Sequence, residues 1–261
     1  MRLPRLVGMV HLSPLPGSPR FGGSMDAVTE DAVHRARILT EAGFPALMVE
    51  NFGDTPFFGG SVPPVTVAAI TTCVLAVRAA CSVPTGVNVL RNDAVSAISV
   101  ASATGAEMIR VNVLSGSMYT DQGVISGRAA EVARLRRALG VETRVWADVF
   151  VKHAVPPPGL SIEQAALDTW ERGGADGLIV SGPGTGRATD PEQLERVRAA
   201  VPDAPLVVGS GATAGNLGDL AGLADAFIVG TALEEGNVPG ADLDPGRVEA
   251  LTASARRVGL L

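Results

Sequence analysis

EAGFPALMVE, residues 41–50, ends a helix, turns on a glycine and enters a strand. The same order recurs in ATGAEMIRVN (103–112) and RGGADGLIVS (172–181). In each, glycine can take the left-handed conformation that stops a helix, and a short apolar run without a polar face follows. Strands buried on both faces have this composition, and they occur in parallel sheets covered by helices.

Working outward, the same kind of run appears at 6–12, 46–52, 84–90, 108–114, 144–150, 177–182, 205–211 and 226–231. Amphipathic segments such as MDAVTEDAVHRARILTEAG (25–43) and SIEQAALDTWERGG (161–174) separate them. Gly43, Gly105, Gly140 and Gly173 are the expected helix stops. Eight strands, each followed by a helix, give the count of an α/β, single (β/α)8 TIM barrel. An open, doubly wound sheet is the alternative. No low-complexity linker divides the chain, so residues 1–261 read as a single domain.

The 261 residues carry a formal charge of −6, which disfavours a nucleic-acid surface. No apolar run reaches the roughly 18 residues of a membrane span. The charged start of MRLPRLVGMVHL (1–12) leads into so short an apolar run that it reads as a first strand, not a leader. Cys73 and Cys81 fall in one expected helix, about 12 Å apart at 1.5 Å rise per residue, too far for a disulfide. They read as reduced, buried thiols of a cytoplasmic protein. A homo-oligomer is compatible with this size, and no sequence feature marks its interface.

In such barrels the chemistry lies at the C-terminal ends of the strands. There the expected strands turn polar: His11, Glu50 with Asn51, Asn88, Arg110 with Asn112, and Asp148. They either pair with one another and plug the barrel or converge on a ligand, and polar groups from five successive strands favour the ligand. The segments SGPGTG (181–186), GSGAT (209–213) and VGTAL (229–233) follow the last three strands. Glycines there let backbone N–H groups approach an anion, and following helix N-termini would add positive potential. Ser181, Gly182, Gly184, Gly209, Ser210, Gly211, Gly230 and Thr231 are the expected phosphate cradle. The alternative is that these glycines only make tight turns.

The segment RVWADVFVKHAV (144–155) holds the only lysine of the sequence. Asp148, Phe150 and Lys152 share one direction if the strand extends that far, which would hang Lys152 over the mouth. A solvated loop lysine is the alternative. Asp148, Lys152, Glu50 and His11 are the candidates for acid–base or Schiff-base chemistry. Asn51, Asn88, Arg110, Asn112 and His153 would bind substrate.

GMVHLSPLPGSPR (8–20), LMVENFGDTPFF (47–58), GVNVLRNDA (86–94), RVNVLSGSMYTDQG (110–123), ADVFVKHA (147–154) and VSGPGTG (180–186) resemble the BtpA/SgcQ family over essentially the whole chain. The resemblance implies a TIM barrel with its site at this mouth. The family takes its name from a role in photosystem I accumulation, and other members sit among sugar-uptake genes. Phe150 departs from the more polar residue that the pattern suggests.

Three functions stay open. One is lyase, aldolase or isomerase chemistry on a small phosphorylated molecule, a sugar phosphate or nucleotide. Another is cleavage or transfer at an N-ribosyl or glycosidic bond by Glu50 and Asp148. The third is a non-catalytic assembly factor of the photosystem I biogenesis type, which predicts a plugged mouth and an exposed apolar patch. No cofactor is implied; Glu50, Asp54, Asp121 and Asp148 could supply oxygen ligands to Mg²⁺, and no His- or Cys-rich spacing suggests zinc. Trp146 and Trp170 are expected in packing layers, His34 in a structural position on helix one, and Asp93 as a helix cap. Arg91 lies close enough in sequence to reach the mouth, and Tyr119 to line or cover the pocket.

Overall fold

The structure, a computed structural model, describes residues 4–261. Met1, Arg2 and Leu3, part of the charged start discussed above, lie outside the described residues. The chain runs β1 (Leu6–His11), α1 (Met25–Glu41), β2 (Leu47–Glu50), α2 (Pro64–Ala80), β3 (Thr85–Asn88), α3 (Ala94–Thr104), β4 (Met108–Val111), β5 (Ser117–Thr120), β6 (Gly123–Ser126) and α4 (Ala129–Leu139). It continues through β7 (Arg144–Val149), β8 (Ala154–Val155), α5 (Ile162–Leu167), β9 (Gly177–Val180), α6 (Pro191–Ala200), β10 (Leu206–Val208), α7 (Leu217–Leu220), β11 (Ala226–Val229) and α8 (Pro245–Arg257). The expected closed barrel forms, in the order β1-β2-β3-β4-β7-β9-β10-β11, with every neighbouring pair parallel.

Side chains alternate across each strand, so the barrel makes two cores. The outward set, including Leu6, Val49, Val87, Ile109, Val145 and Leu206, packs beneath the helices. The inward set fills the lumen with Val7, Met9, Met48, Met108, Trp146 and Ile179 among others. Trp146 is fully buried there, and Trp170 packs against the outer core. Gly86 makes the lumen packing possible, since a Cβ at that position would lie 2.6 Å from both Met48 Cε and Met108 Cγ.

Helix starts follow capping chemistry. Ser24 and Asp93 accept hydrogen bonds from Ala27 N and Ser96 N, and the second is the expected cap. Asp93 also accepts from Val62 N at 2.9 Å, tying α3 to the preceding loop.

Several expectations are corrected. Gly174 (φ +68°), not Gly173 (φ −77°), takes the left-handed position after α5, because the helix widens into a π-turn over Asp168–Arg172. Cys81 caps α2 rather than lying within it, and both thiols are buried and unbridged. Residues 115–126 add strands outside the barrel. β5 and β6 form an antiparallel hairpin, and β8 pairs with β5, giving a three-stranded sheet above the mouth. Strand β10 stops at Val208, and the α7 that follows is a single turn beginning at Leu217.

Candidate active site

Register builds the site. His11 pairs with Glu50, Glu50 with Asn88 and Asn88 with Arg110 across β1 to β4. These residues sit above the apolar lumen layer on the same inward-facing rows, and period two therefore makes the top layer polar.

The first group in this layer centres on Glu50, which is 2% exposed. Asn88 Nδ2 donates to its Oε2, and His11 Nε2 lies 3.7 Å from its Oε1. His11 Nδ1 donates to Glu234 Oε1 at 2.7 Å. A carboxylate can only accept, so that bond fixes the proton on Nδ1 and leaves Nε2 facing Glu50. Glu234 also accepts from Gly240 N at 3.1 Å, and Arg35 of α1 approaches it at 3.9 Å. Arg35 in turn binds Asp31, Asp242 and the Ala241 carbonyl, pinning the segment after β11 against α1.

Removal of the Asn88 amide takes a hydrogen bond from a buried carboxylate. Asn88→Ala is expected to lower stability by about 1–3 kcal/mol in urea melts. An unchanged midpoint and slope would show that Glu50 does not depend on that amide.

A second group is the bidentate pair Arg110–Asp148, with side chains 2% and 0% exposed. Arg110 Nε and Nη2 donate to Asp148 Oδ2 and Oδ1 at 2.9 and 2.7 Å. Asn112 Nδ2 and Ser181 Oγ add donors to the same carboxylate at 3.3 Å each. Burial disfavours the Arg110 charge, but the charge and hydrogen bonds of Asp148 outweigh it and hold the guanidinium above its usual range. Asp148, expected to move a proton, thus has its acceptors filled and anchors Arg110. Asn112 Oδ1 is buried without a partner among the described residues.

Lys152 reaches the mouth by a route the alternation argument did not contain. β7 ends at Val149, and Phe150 (φ +55°) and His153 (φ +56°) both adopt the left-handed conformation on either side of it. For side chains with a Cβ that conformation is costly, and it persists where surrounding structure enforces it. Val151 and the partly buried Phe150 pack beneath the β5–β6 hairpin, and Arg91 Nη2 donates to the Lys152 carbonyl at 2.5 Å. Among the described residues the Lys152 ammonium forms no ion pair. Burial lowers its pKa below the usual lysine range; Glu50 and Asp148 oppose that shift, and Arg110 and Arg91 add to it.

His153 lies at the rim and accepts from Thr185 N at 3.2 Å through Nε2, so it holds the loop after β9. Burial and the neighbouring Lys152 and Arg91 charges lower its pKa. Asn51 turns away from the mouth. Its Oδ1 accepts from Leu90 N at 2.7 Å and its Nδ2 donates to Asp54 at 3.0 Å, so it shapes the loops. Burial raises the Asp54 pKa against the bonds from Leu15 N and Asn51.

Between these groups and the last loops lies a cavity of about 50 Å³. Met9, His11, Glu50, Arg110 and Lys152 line one side; Thr185, Gly186, the segment 209–213 and the segment 229–232 line the other. The backbone N–H groups of Gly211 and Ala212, and those of Thr231 and Ala232, make no hydrogen bond among the described residues. Ser210 Oγ is buried there and also unpartnered. The expected cradle is therefore redistributed. Ser181 serves Asp148, and Gly182 packs against the carbonyls of Arg187 and Ala188, where a Cβ would lie 2.2 Å from the first. Gly184 stands beside His153, outside the cavity lining. Gly209, Ser210, Gly211, Gly230 and Thr231 do line it. No long helix begins there, so N–H groups and not a helix dipole define it.

Among the described residues no group of three or more His, Cys, Asp or Glu side chains is placed to hold a metal ion, and Glu50, Asp54, Asp121 and Asp148 are not gathered into one. No helix among them is long and apolar enough to cross a membrane. Tyr119 lies on the outer face of the β5–β6–β8 sheet, 50% exposed beside Val124 and Val155.

Solved structures share the barrel. Phosphoribosyl anthranilate isomerase of Thermus thermophilus superposes with a TM-score of 0.59 at 13% identity, over 97% of this chain and 99% of that one. N-acetylmannosamine-6-phosphate 2-epimerase of Clostridium perfringens superposes with a TM-score of 0.56 at 15% identity, over 98% and 93%. At such identities the likeness shows the fold. Sequence relatives lie much nearer. An uncharacterised protein of Thermococcus kodakarensis is 52% identical over 87% of this chain and 85% of its own length. The photosystem I biogenesis protein BtpA of Synechocystis is 46% identical over 94% and 85%. The BtpA family model matches residues 3–257, and with these relatives it shows that the chain belongs to the BtpA family.

Proposed function

We propose that this protein is an enzyme of the lyase or isomerase type acting on a small phosphorylated substrate. The observation that carries the reading is the 50 Å³ cavity itself, where four unengaged backbone N–H groups face Lys152, Glu50 and His11. A phosphate would accept from the N–H groups of Gly211, Ala212, Thr231 and Ala232 and from Ser210 Oγ. The carbon chain then extends over Glu50 and His11 Nε2, either of which can take a proton beside a carbonyl. The Lys152 amine would polarise that carbonyl or form an imine with it. Arg110, held by Asp148, sets the positive floor. The solved neighbours whose names carry sugar-phosphate or phosphoribosyl substrates support the phosphorylated class by analogy of fold. Glycosidic chemistry by two carboxylates is disfavoured, because Asp148 is neutralised by Arg110.

Thermal shift with ribose 5-phosphate and unphosphorylated ribose tests the reading. At 100 times Kd a ligand adds about 2.7 kcal/mol, or roughly 5–10 °C for a chain of this size. Ala232→Asp, which sets a carboxylate in the cradle, is expected to erase that shift while keeping the fold. Gly211→Asp is a poorer probe, since φ is +73° and a Cβ would lie 2.0 Å from the Arg187 carbonyl. Equal shifts for the two sugars, or for native and Ala232→Asp protein, would contradict the reading.

An assembly role is the second reading. The in-register apolar face of Tyr119, Val124 and Val155, 50–64% exposed, favours it, as does the name of the Synechocystis relative. That reading predicts no binding of phosphorylated metabolites.

A further inference from the structure

The phosphate cavity is not closed on its outer side. Glu50, Lys152 and Thr185 line both it and a larger lobe of about 370 Å³. That volume lies in the range of roughly 300–1,000 Å³ that holds whole drug-sized ligands, and a sugar phosphate seated in the cradle would leave most of it empty. Its walls differ from the cradle. Phe52, Phe57 and Leu90 supply apolar faces, and Arg91 and Asp121 supply the polar groups.

Arg91 is the informative residue. It is 4% exposed, and its guanidinium donates one hydrogen bond, to the Lys152 carbonyl; among the described residues it has no carboxylate partner. A guanidinium offers five donors in one plane, so most of its donors remain for a further acceptor. Burial lowers its pKa despite the nearby Asp148 and Glu50 charges, consistent with a cation not neutralised in place. Phe52, tilted 32° against His11 with ring centroids 4.6 Å apart, continues the aromatic surface from the acid–base group into the lobe.

We infer that the outer lobe binds a planar ring bearing a carbonyl or carboxylate oxygen, attached to the phosphorylated sugar, with its faces against Phe57 and Leu90 and its oxygen on Arg91. The substrate is then a nucleotide-like molecule, not a simple sugar phosphate. This rests on the phosphorylated-substrate reading above and adds the class of the second half. Aromatic faces supply sequence-tolerant stacking, and Arg supplies selection for the oxygen.

Calorimetry with three probes decides it: uridine 5′-monophosphate, which has ring oxygens and phosphate; ribose 5-phosphate, which lacks the ring; and uridine, which lacks the phosphate. The nucleotide is expected to bind at least tenfold more tightly than ribose 5-phosphate. Phe57→Ala is expected to bring it to the ribose 5-phosphate level while leaving ribose 5-phosphate binding unchanged; Arg91→Met, which also frees the Lys152 carbonyl, is expected to lower nucleotide affinity at least tenfold. Phe57 is only partly buried, so its variant keeps the test open if Arg91→Met fails to fold. Equal affinity of nucleotide and ribose 5-phosphate in native protein, or a nucleotide affinity untouched by Phe57→Ala, overturns the inference and leaves the phosphate reading standing. Uridine binding as well as the nucleotide, with no binding of ribose 5-phosphate, overturns the phosphate reading and this inference with it.

Discussion

Lys152→Met is expected to cost on the order of 10²–10⁴-fold in turnover of a phosphorylated carbonyl substrate, the usual range for loss of an acid–base or charge-stabilising group. It is also expected to leave the protein more stable at neutral pH. The folded-state pKa of Lys152 lies below its ordinary value of 10.5, mainly through burial. Below the folded pKa both folded and unfolded chains carry the proton, and the folded chain bears the full cost of a partly buried cation. As pH rises through the folded pKa toward 10.5, the unfolded chain binds more protons, and native stability rises with pH. The stability advantage of the methionine variant should therefore shrink across that window in urea melts at stepped pH. An advantage that is absent or grows with pH would show that the ammonium is not desolvated. The same depression favours the neutral amine. Cyanoborohydride trapping with a carbonyl phosphate should label the peptide carrying Lys152, and more so as pH rises. Lost turnover without trapping would assign Lys152 an electrostatic role, and full turnover by Lys152→Met would remove it from the chemistry.

Asp148→Asn is expected to be the most destabilising conservative change at the mouth, by about 3–5 kcal/mol, because it leaves the Arg110 guanidinium charged, buried and without its carboxylate. Domains are stable by only about 5–15 kcal/mol, so the loss should be plain in a denaturant midpoint. Replacing both members, Arg110→Met with Asp148→Leu, should recover much of that stability, since no lone charge remains. If Asp148→Asn cost under 1 kcal/mol, the carboxylate would not be the anchor of Arg110, and its assignment as a group that moves protons would return.

The barrel was legible because its signal is repeated: runs such as LMVE and LIVS, introduced by glycine, reappear along the chain. The polar layer was legible for a related reason. His11, Glu50, Asn88, Arg110 and Asp148 interrupt otherwise apolar strands, and burial in a barrel demands a reason for each. Sequence could not say which of them bond together. Asp148 is spent on Arg110 because β4 and β7 are neighbours at a given register, which no local pattern records.

Glu234 was missed altogether. It lies in TALEEG, after the last strand, and its signal is only an acid in the eighth loop; His11, its partner, is 223 positions away. Arg35 was missed because one arginine on an amphipathic helix looks like a solvated face. The β5–β6 hairpin carries little local signal, because its strands have four residues each and its turn lacks the Asn-Gly or Asp-Gly pair that marks such turns. Lys152 lines the cavity, but not by the extended strand that the alternation argument assumed. The extended strand stops at Val149, and the left-handed Phe150, which its residue type does not suggest, carries the chain onward.

We propose a phosphate-anchored ligand site at the mouth in place of a polar plug. A crystal structure with ribose 5-phosphate tests it most directly. The phosphate is expected within hydrogen-bonding distance of the Gly211, Ala212, Thr231 and Ala232 N–H groups, with the sugar directed toward Glu50 and Lys152. A sugar phosphate bound with its phosphate elsewhere, or a mouth that stays empty at saturating ligand, would contradict it.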